Sequence, residues 1–121
     1  MRYANTGVTP DKSNLRTRVP VTLHPIYLTV AGVFEYFPRA TLQSLFGSIA
    51  EQQSPAVVAL IEPIAADYDL EKERESRPYG SEHSLGHNYP LLLREAGFVI
   101  RYQEQLRFEG CTHLLVVAEQ R

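Results

Sequence analysis

Continuous apolar runs mark the first predicted elements of this chain. Residues 26–34 (IYLTVAGVF) and 56–64 (AVVALIEPI) are almost entirely apolar and rich in β-branched side chains. Such runs are typical of strands that are covered on both faces of a sheet. Residues 15–19 (LRTRV) also have strand character, but Pro20 prevents a long strand inside a sheet.

Two C-terminal runs predict a hairpin. Residues 98–108 alternate with period two, and one face of this strand would carry Phe98, Ile100, Tyr102, Leu106 and Phe108. Residues 113–120 (HLLVVAEQ) form the last apolar run. Because only the turn EGCT separates the two runs, we expect them to pair as antiparallel strands.

Helical spacing appears in two further segments. In residues 38–53, apolar side chains recur at Leu42, Leu45, Phe46, Ile49 and Ala50. This spacing predicts an amphipathic helix of about four turns, and Pro38 suits its start. Residues 87–97 (HNYPLLLREAG) predict a shorter helix that begins near Asn88 to Pro90 and ends at Gly97.

A long charged segment, residues 65–86, separates the second strand from the second helix. Loops longer than about 12 to 15 residues in compact domains tend to be functional or disordered, so we expect a lid or binding loop here. Arg74, Arg77 and Tyr79 would be available to an anionic substrate, although a solvated run of charges is the simpler interpretation.

The order of the elements is strand, helix, strand, long loop, helix, strand, strand. Right-handed helical crossovers make the first strands parallel, and the final hairpin adds an antiparallel member. The predicted fold is therefore α/β, a three-layer Rossmann-like sheet with parallel strands and a C-terminal antiparallel hairpin.

Length, charge and cysteine content narrow the classes of function. A length of 121 residues predicts one domain, residues 1–121. We expect residues 1–14 to be flexible because they are polar. The formal net charge of −2 argues against a nucleic-acid partner. The uncharged stretch 19–34 is too short and too interrupted by proline to cross a membrane. The single cysteine and the absence of an apolar secretory stretch in the N-terminal residues predict a cytoplasmic protein.

Several of these segments, in this order, resemble the C-terminal half of a class I S-adenosylmethionine-dependent methyltransferase. The resemblance rests on three segments: Gly32 to Pro38 (GVFEYFP) after the first strand, Glu62-Pro63 at the end of the second strand, and His87 to Phe98 (HNYPLLLREAGF). The final hairpin is similar to the last two strands of that family. The resemblance covers residues 26–120 and implies the truncated methyltransferase version of the α/β fold.

The cofactor-binding half of the family has no counterpart in this sequence. That family binds S-adenosylmethionine with a glycine-rich turn after its first strand and an acidic residue after its second. Here the seven glycines stand singly and no G-x-G run occurs. Glycines permit close approach of the backbone to a ligand, so their absence argues against catalysis by this chain alone.

Loss of that half has a structural consequence. In the family's sheet the strand equivalent to residues 26–34 is flanked by the missing first strand, so it would become a bare apolar edge. Long exposed edges tend to pair with other chains. We therefore expect a homodimer, or a complex with a partner chain, through the exposed strand 26–34.

The resemblance also suggests site residues at the carboxyl ends of the strands. Gly32 and Glu35 would face the cofactor, and the substrate side would be formed by Tyr36, Glu62, His87, Asn88 and Tyr89. His87 would be a candidate general base because an imidazole exchanges protons near neutrality. Structural alternatives are Tyr36 packing on the next helix, Glu62 capping a turn or pairing with an arginine of the charged segment, and residues 87–89 starting a helix.

A metal site is not predicted. His83 and His87 are four residues apart, but Gly86 and Pro90 argue against one helix through both, and no acidic or cysteine cluster completes a ligand set. Cys111, in a hairpin turn, is expected to be inert.

Three hypotheses about function remain. In the first hypothesis, the chain is a truncated methyltransferase-like protein without autonomous catalysis, which dimerises and binds a small molecule at the strand ends. Alternatively, it is an S-adenosylmethionine-dependent methyltransferase completed by a partner chain or oligomer. The third hypothesis is an unrelated small α/β binding domain, since fold alone does not carry function.

Overall fold

The computed structural model describes residues 25–52, 55–80 and 83–121. The strand hypothesis for residues 15–19 and the flexibility expected of residues 1–14 lie outside this part of the chain. The larger sheet has four strands: β1 (Ile26–Val30), β2 (Val57–Pro63), β5 (Phe98–Phe108) and β6 (Cys111–Gln120). Two short strands, β3 (Arg77–Tyr79) and β4 (Ser84–Gly86), form a separate hairpin.

The two α-helices lie within the segments 38–53 and 87–97, whose sequence pattern predicted them. Helix α1 spans Arg39–Ala50, and helix α2 spans Tyr89–Glu95. A short 3-10 helix, Phe34–Tyr36, precedes α1. The start of α2 is capped by Asn88, whose side-chain oxygen accepts a hydrogen bond from Leu91 N. Gly97 follows α2 with a φ of 106°, as a glycine that ends a helix does.

The sheet order is β1-β2-β6-β5, with β1 parallel to β2 and the remaining neighbours antiparallel. This confirms the α/β class, the parallel first pair and the C-terminal hairpin. Among the strands that the structure describes, β1 lies at an edge of the sheet. The first strand is shorter than its apolar run because Ala31 and Gly32 have positive φ values, 61° and 109°, which turn the chain out of the sheet.

One face of the sheet carries the core. On β2 and β6 this core face consists of Val58, Leu60, Leu114, Val116 and Ala118, all buried. Side chains of both helices belong to the same cluster, including Leu42, Phe46, Ile49, Leu92 and Leu93. The two helices therefore share one face of the sheet, the core face.

The opposite face of the sheet, which we call the open face, was expected to be covered by a third layer. Through the register it is formed by Ile26, Leu28 and Val30 of β1, Val57, Ala59 and Ile61 of β2, Leu115 and Val117 of β6, and Tyr102 of β5. Within the described residues neither helix lies on it, so this part of the chain has two layers. The apolar runs correctly indicated two apolar faces, but the cover for the second face does not come from the described residues.

A β-bulge in β5 changes the predicted face of Tyr102. The register shifts between Ile100, opposite Ala118, and Tyr102, opposite Val117. Phe98 and Ile100 consequently pack with the core, whereas Tyr102 lies on the open face and is half exposed. Strict alternation, which the sequence analysis assumed, cannot anticipate an extra residue in one strand.

No helix among the described residues is long and apolar enough to span a membrane.

Candidate functional site

The carboxyl ends of the parallel strands β1 and β2 border an open pocket of about 760 Å³. Its wall is built by residues from the turn after β1, the end of β2, the β3–β4 hairpin and the β5–β6 hairpin: Glu35, Tyr36, Pro63, Tyr79, Gly80, Ser84, Glu109, Cys111 and His113. We call it the rim pocket. Ligands in open α/β sheets bind at this end of the strands.

Gly32 shapes the wall of the rim pocket through the missing side chain. A Cβ on Gly32 would collide with a carboxylate oxygen of Glu35 and would lie 3.8 Å from Pro63. The Glu35 carboxylate therefore occupies space that a side chain at position 32 would enter. Glu35 is largely buried at the pocket wall.

Tyr79 joins the two hairpins at the pocket. Burial, followed by the neighbouring Cys111 thiol and the Glu35 carboxylate, raises the pKa of Tyr79 above its usual value. The phenol is consequently neutral at physiological pH and able to donate a hydrogen bond. His113 Nδ1 lies 3.4 Å from the Cys111 carbonyl oxygen, which fixes the position of its ring.

The charges at the pocket wall favour some ligands over others. Glu35 and Glu109 contribute carboxylates, whereas the described lining residues include neither lysine nor arginine. Two tyrosines add aromatic and hydroxyl groups to the wall. This wall suits a neutral or positively charged small molecule with polar groups better than an anion.

Glu62, near the end of β2, is fully buried, and its carboxylate connects β2 to the turn after β1. It accepts hydrogen bonds from Val33 N at 3.1 Å, Phe34 N at 3.0 Å and Glu35 N at 3.3 Å. The Thr29 hydroxyl donates a fourth hydrogen bond at 2.7 Å. A carboxylate is the natural acceptor for backbone N–H groups at the start of a helical turn. Glu62 thus makes the contacts of a residue that caps a turn, which was a structural alternative to a role in substrate binding.

His87 is also fully buried, at a point where three segments meet. Its Nε2 lies 2.9 Å from the Phe37 carbonyl oxygen, and its Nδ1 lies 2.5 Å from the Ser76 hydroxyl. Because a carbonyl only accepts, we assign the proton to Nε2, and Nδ1 then accepts from Ser76. Burial is the main cause that lowers the pKa of His87, with Arg39 contributing in the same direction.

Asn88 and Tyr89 extend this buried corner. Besides capping α2, the Asn88 amide donates to the carbonyl oxygens of Leu70 at 2.9 Å and Glu73 at 2.7 Å. Burial raises the pKa of Tyr89 far above its usual value, with Glu62 and Glu35 adding to the shift. Within the part of the chain that the structure describes, its buried hydroxyl has no hydrogen-bond partner.

The predicted site residues therefore separate into two groups. Glu35 and Tyr36 line the rim pocket, with Gly32 supporting Glu35. Glu62, His87, Asn88 and Tyr89 are buried and connect neighbouring segments. The roles proposed for all of them in cofactor and substrate binding, and for His87 in catalysis, stay predictions.

Sequence reasoning did not assign Ser84, Glu109, Cys111 and His113 to the pocket wall, and it considered Tyr79 only for an anionic substrate. These residues come from two hairpins that meet only in the folded chain. Cys111 was considered only for its own reactivity, and the charged segment 65–86 concealed the β3–β4 hairpin that carries Tyr79 and Ser84.

The charged segment itself is held by ion pairs. Arg77 pairs with Asp67 and Glu73 and lies over the Tyr68 ring, 5.1 Å from its centre. Arg74 pairs with Glu95 of α2 at 3.1 Å. The Arg77 contacts lie within the segment, whereas the Arg74 pair joins it to α2. Both arginines considered for an anionic substrate are therefore engaged. Among the described residues no group of histidine, cysteine and acidic side chains has the arrangement of a metal site.

Comparison with known proteins gives a distant structural similarity. No family model and no curated protein matches this chain. Two solved structures of magnesium protoporphyrin IX methyltransferase (ChlM) from Synechocystis PCC 6803 are similar to it, one with bound SAM and one with bound SAH. Sequence identity is 13% in both cases, with TM-scores of 0.48 and 0.49 over 87% and 86% of this chain. The chain spans 44% and 49% of those proteins, about half their length.

Proposed function

We propose that this chain is a methyltransferase-like module without autonomous catalysis, which associates with a second copy of itself and holds a small molecule in the rim pocket. The observation that carries this proposal is the apolar open face of the sheet. Ile26, Leu28 and Val30 of the edge strand are 68%, 65% and 57% exposed, and they adjoin further apolar residues of β2 and β6. Contiguous apolar surfaces of this kind mark sites of association.

A second copy is the partner favoured by charge. The segment 26–34 carries no charged residue, so two copies of β1 and its neighbours approach each other without repulsion. The edge also lacks the lysine, proline or bulge within β1 with which proteins protect exposed strands. Symmetric association through one self-complementary surface is the commonest form of oligomer.

The proposal of no autonomous catalysis is supported by the contacts of the candidate general base. Both ring nitrogens of His87 are engaged in structural hydrogen bonds, and the ring is fully buried. A general base has to reach the proton that it removes, within hydrogen-bond distance. In the described arrangement His87 has no access to the rim pocket.

A second candidate is a methyltransferase completed by the partner copy. Its support is the location of the rim pocket, which includes Glu35 and Tyr36, residues that the family resemblance directs toward cofactor and substrate. The acidic wall would also suit the positively charged sulfonium of S-adenosylmethionine. Methyl transfer would then depend on positioning a nucleophile against the sulfonium.

Thermal unfolding with added ligands tests the rim pocket and separates the two candidates. We would measure the midpoint of unfolding with neutral and cationic metabolites, S-adenosylmethionine among them, because a ligand that binds the folded state raises it. Ligands of the pocket should lose their effect in Tyr36→Ala and keep it in Val33→Ala, a neighbouring exposed change outside the wall.

The identity of the ligand decides between the candidates. Stabilisation by S-adenosylmethionine that depends on Tyr36 would favour the completed methyltransferase. Stabilisation by another small molecule alone would favour the non-catalytic module. If no compound stabilises the protein, or if Tyr36→Ala leaves every effect unchanged, the rim pocket is not a binding site and that part of the proposal fails.

A further inference from the structure

We infer that two copies associate face to face, with their open faces stacked into an α/β/β/α sandwich, rather than by pairing their edge strands. The inference rests on the proposed self-association and specifies its surface. The three exposed β1 residues, Ile26, Leu28 and Val30, project from the same face as Tyr102 of β5, which is 50% exposed. The apolar surface thus extends from one edge of the sheet to the other.

Edge pairing would leave this surface in water. Two β1 strands paired as antiparallel neighbours would be related by a two-fold axis perpendicular to the sheet. That symmetry keeps both open faces on the same side of an eight-stranded sheet. The result is an apolar face twice as wide and still uncovered, whereas stacking removes both faces from water together.

The sizes of the two surfaces lead to the same conclusion. Four strands of 5, 7, 11 and 10 residues, spaced about 4.8 Å apart with a rise of about 3.3 Å per residue, give a face of roughly 300 to 700 Å² in projection. Protruding side chains increase its accessible area toward the about 800 Å² per partner of a stable interface. The edge of the five-residue β1 strand offers only a fraction of that area.

The charges on the open face are compatible with stacking. Glu119, at its margin, pairs with Arg101 at 3.1 Å. Glu104, the other acid on this face, accepts a hydrogen bond from the Tyr102 hydroxyl. The central positions Ala59, Ile61 and Val117 are uncharged. Two such faces pack at a separation of about 10 Å when their strands are nearly aligned.

Three substitutions distinguish face stacking from edge pairing. Tyr102→Lys places a charge on the open face, on the strand farthest from β1. Leu28→Lys places one on the open face at β1, where it affects both modes. Gln103→Lys is the matched control because Gln103 is exposed on the other face of β5. The dimer dissociation constant would be measured by light scattering over a dilution series, with circular dichroism to verify folding.

Face stacking predicts that Tyr102→Lys and Leu28→Lys each raise the dissociation constant at least tenfold, while Gln103→Lys changes it less than twofold. If Tyr102→Lys matches the control and Leu28→Lys alone dissociates the dimer, stacking is wrong and edge pairing is correct. A wild-type protein that is monomeric at every concentration contradicts both self-association and stacking. Tyr102→Ser, which removes the ring without adding charge, replaces Tyr102→Lys if the latter does not fold.

Discussion

At the scale of single residues, Glu62 shows how one side chain stabilises the turn that leads to the rim pocket. Its two carboxylate oxygens accept four hydrogen bonds from three backbone N–H groups and one hydroxyl, all in a site closed to water. Losing such contacts leaves buried donors without acceptors, which costs more than the hydrogen bonds themselves contribute.

Glu62→Gln should therefore destabilise the protein by about 2 kcal/mol or more, since the amide replaces one acceptor oxygen with a donor group. Glu71→Gln is the matched control, because Glu71 is exposed and its substitution should change stability by less than about 0.5 kcal/mol. Urea unfolding measures both values. Equal stabilities of the two variants would show that Glu62 does not hold the turn.

The residue scale also shows what the sequence could indicate about the site. Glu62 was considered both as a substrate-side acid and as the cap of a turn, and its position before Pro63 does not separate the two. The distinguishing fact is the approach of the backbone of residues 33–35, which depends on the positive φ values of Ala31 and Gly32. Backbone turns of this kind have no periodic signature in a sequence.

At the scale of elements, His87 connects the segment before α1, the charged segment and the start of α2. It is buried and neutral, with Nε2 bonded to Phe37 and Nδ1 to Ser76. Burial lowers the pKa of His87 in the folded protein below the value of about 6.5 that it has in an unfolded chain. The unfolded chain therefore binds a proton more readily than the folded protein does.

Stability should consequently fall as the pH is lowered below about 6.5, and it should be independent of this group at higher pH. His87→Gln retains polar groups at the position and should show a smaller decrease between pH 7 and pH 5.5, even if it is less stable throughout. Thermal unfolding at a series of pH values measures the difference. Parallel pH profiles for wild type and variant would contradict the assigned role of His87.

Periodicity and punctuation predicted most of the elements. The alternating run 98–108 became β5 with the same bounds, and Asn88 and Gly97 delimit α2 as expected. The exceptions are the early end of β1 at Val30, the bulge that moves Tyr102 to the open face, and the β3–β4 hairpin within the predicted loop 65–86. All three shape the surfaces on which the proposals depend.

At the scale of the whole molecule, the sheet has one face covered by two helices and one face open among the described residues. The sequence predicted that both faces of β1 and β2 are apolar, but it could not indicate what covers the second face. Apolar strands look the same whether the cover comes from their own chain or from another. This is why residues 25–52, 55–80 and 83–121 form two layers where three were expected, and why association is the central proposal.

The most direct measurement is the mass of the wild-type protein beside Tyr102→Lys by light scattering at equal concentration. Stacked open faces predict the mass of two chains for the wild type and of one chain for the folded variant, because taking the added ammonium and the neighbouring Glu104 carboxylate out of water costs more than their attraction returns. Equal masses for the two proteins would contradict association through the open face.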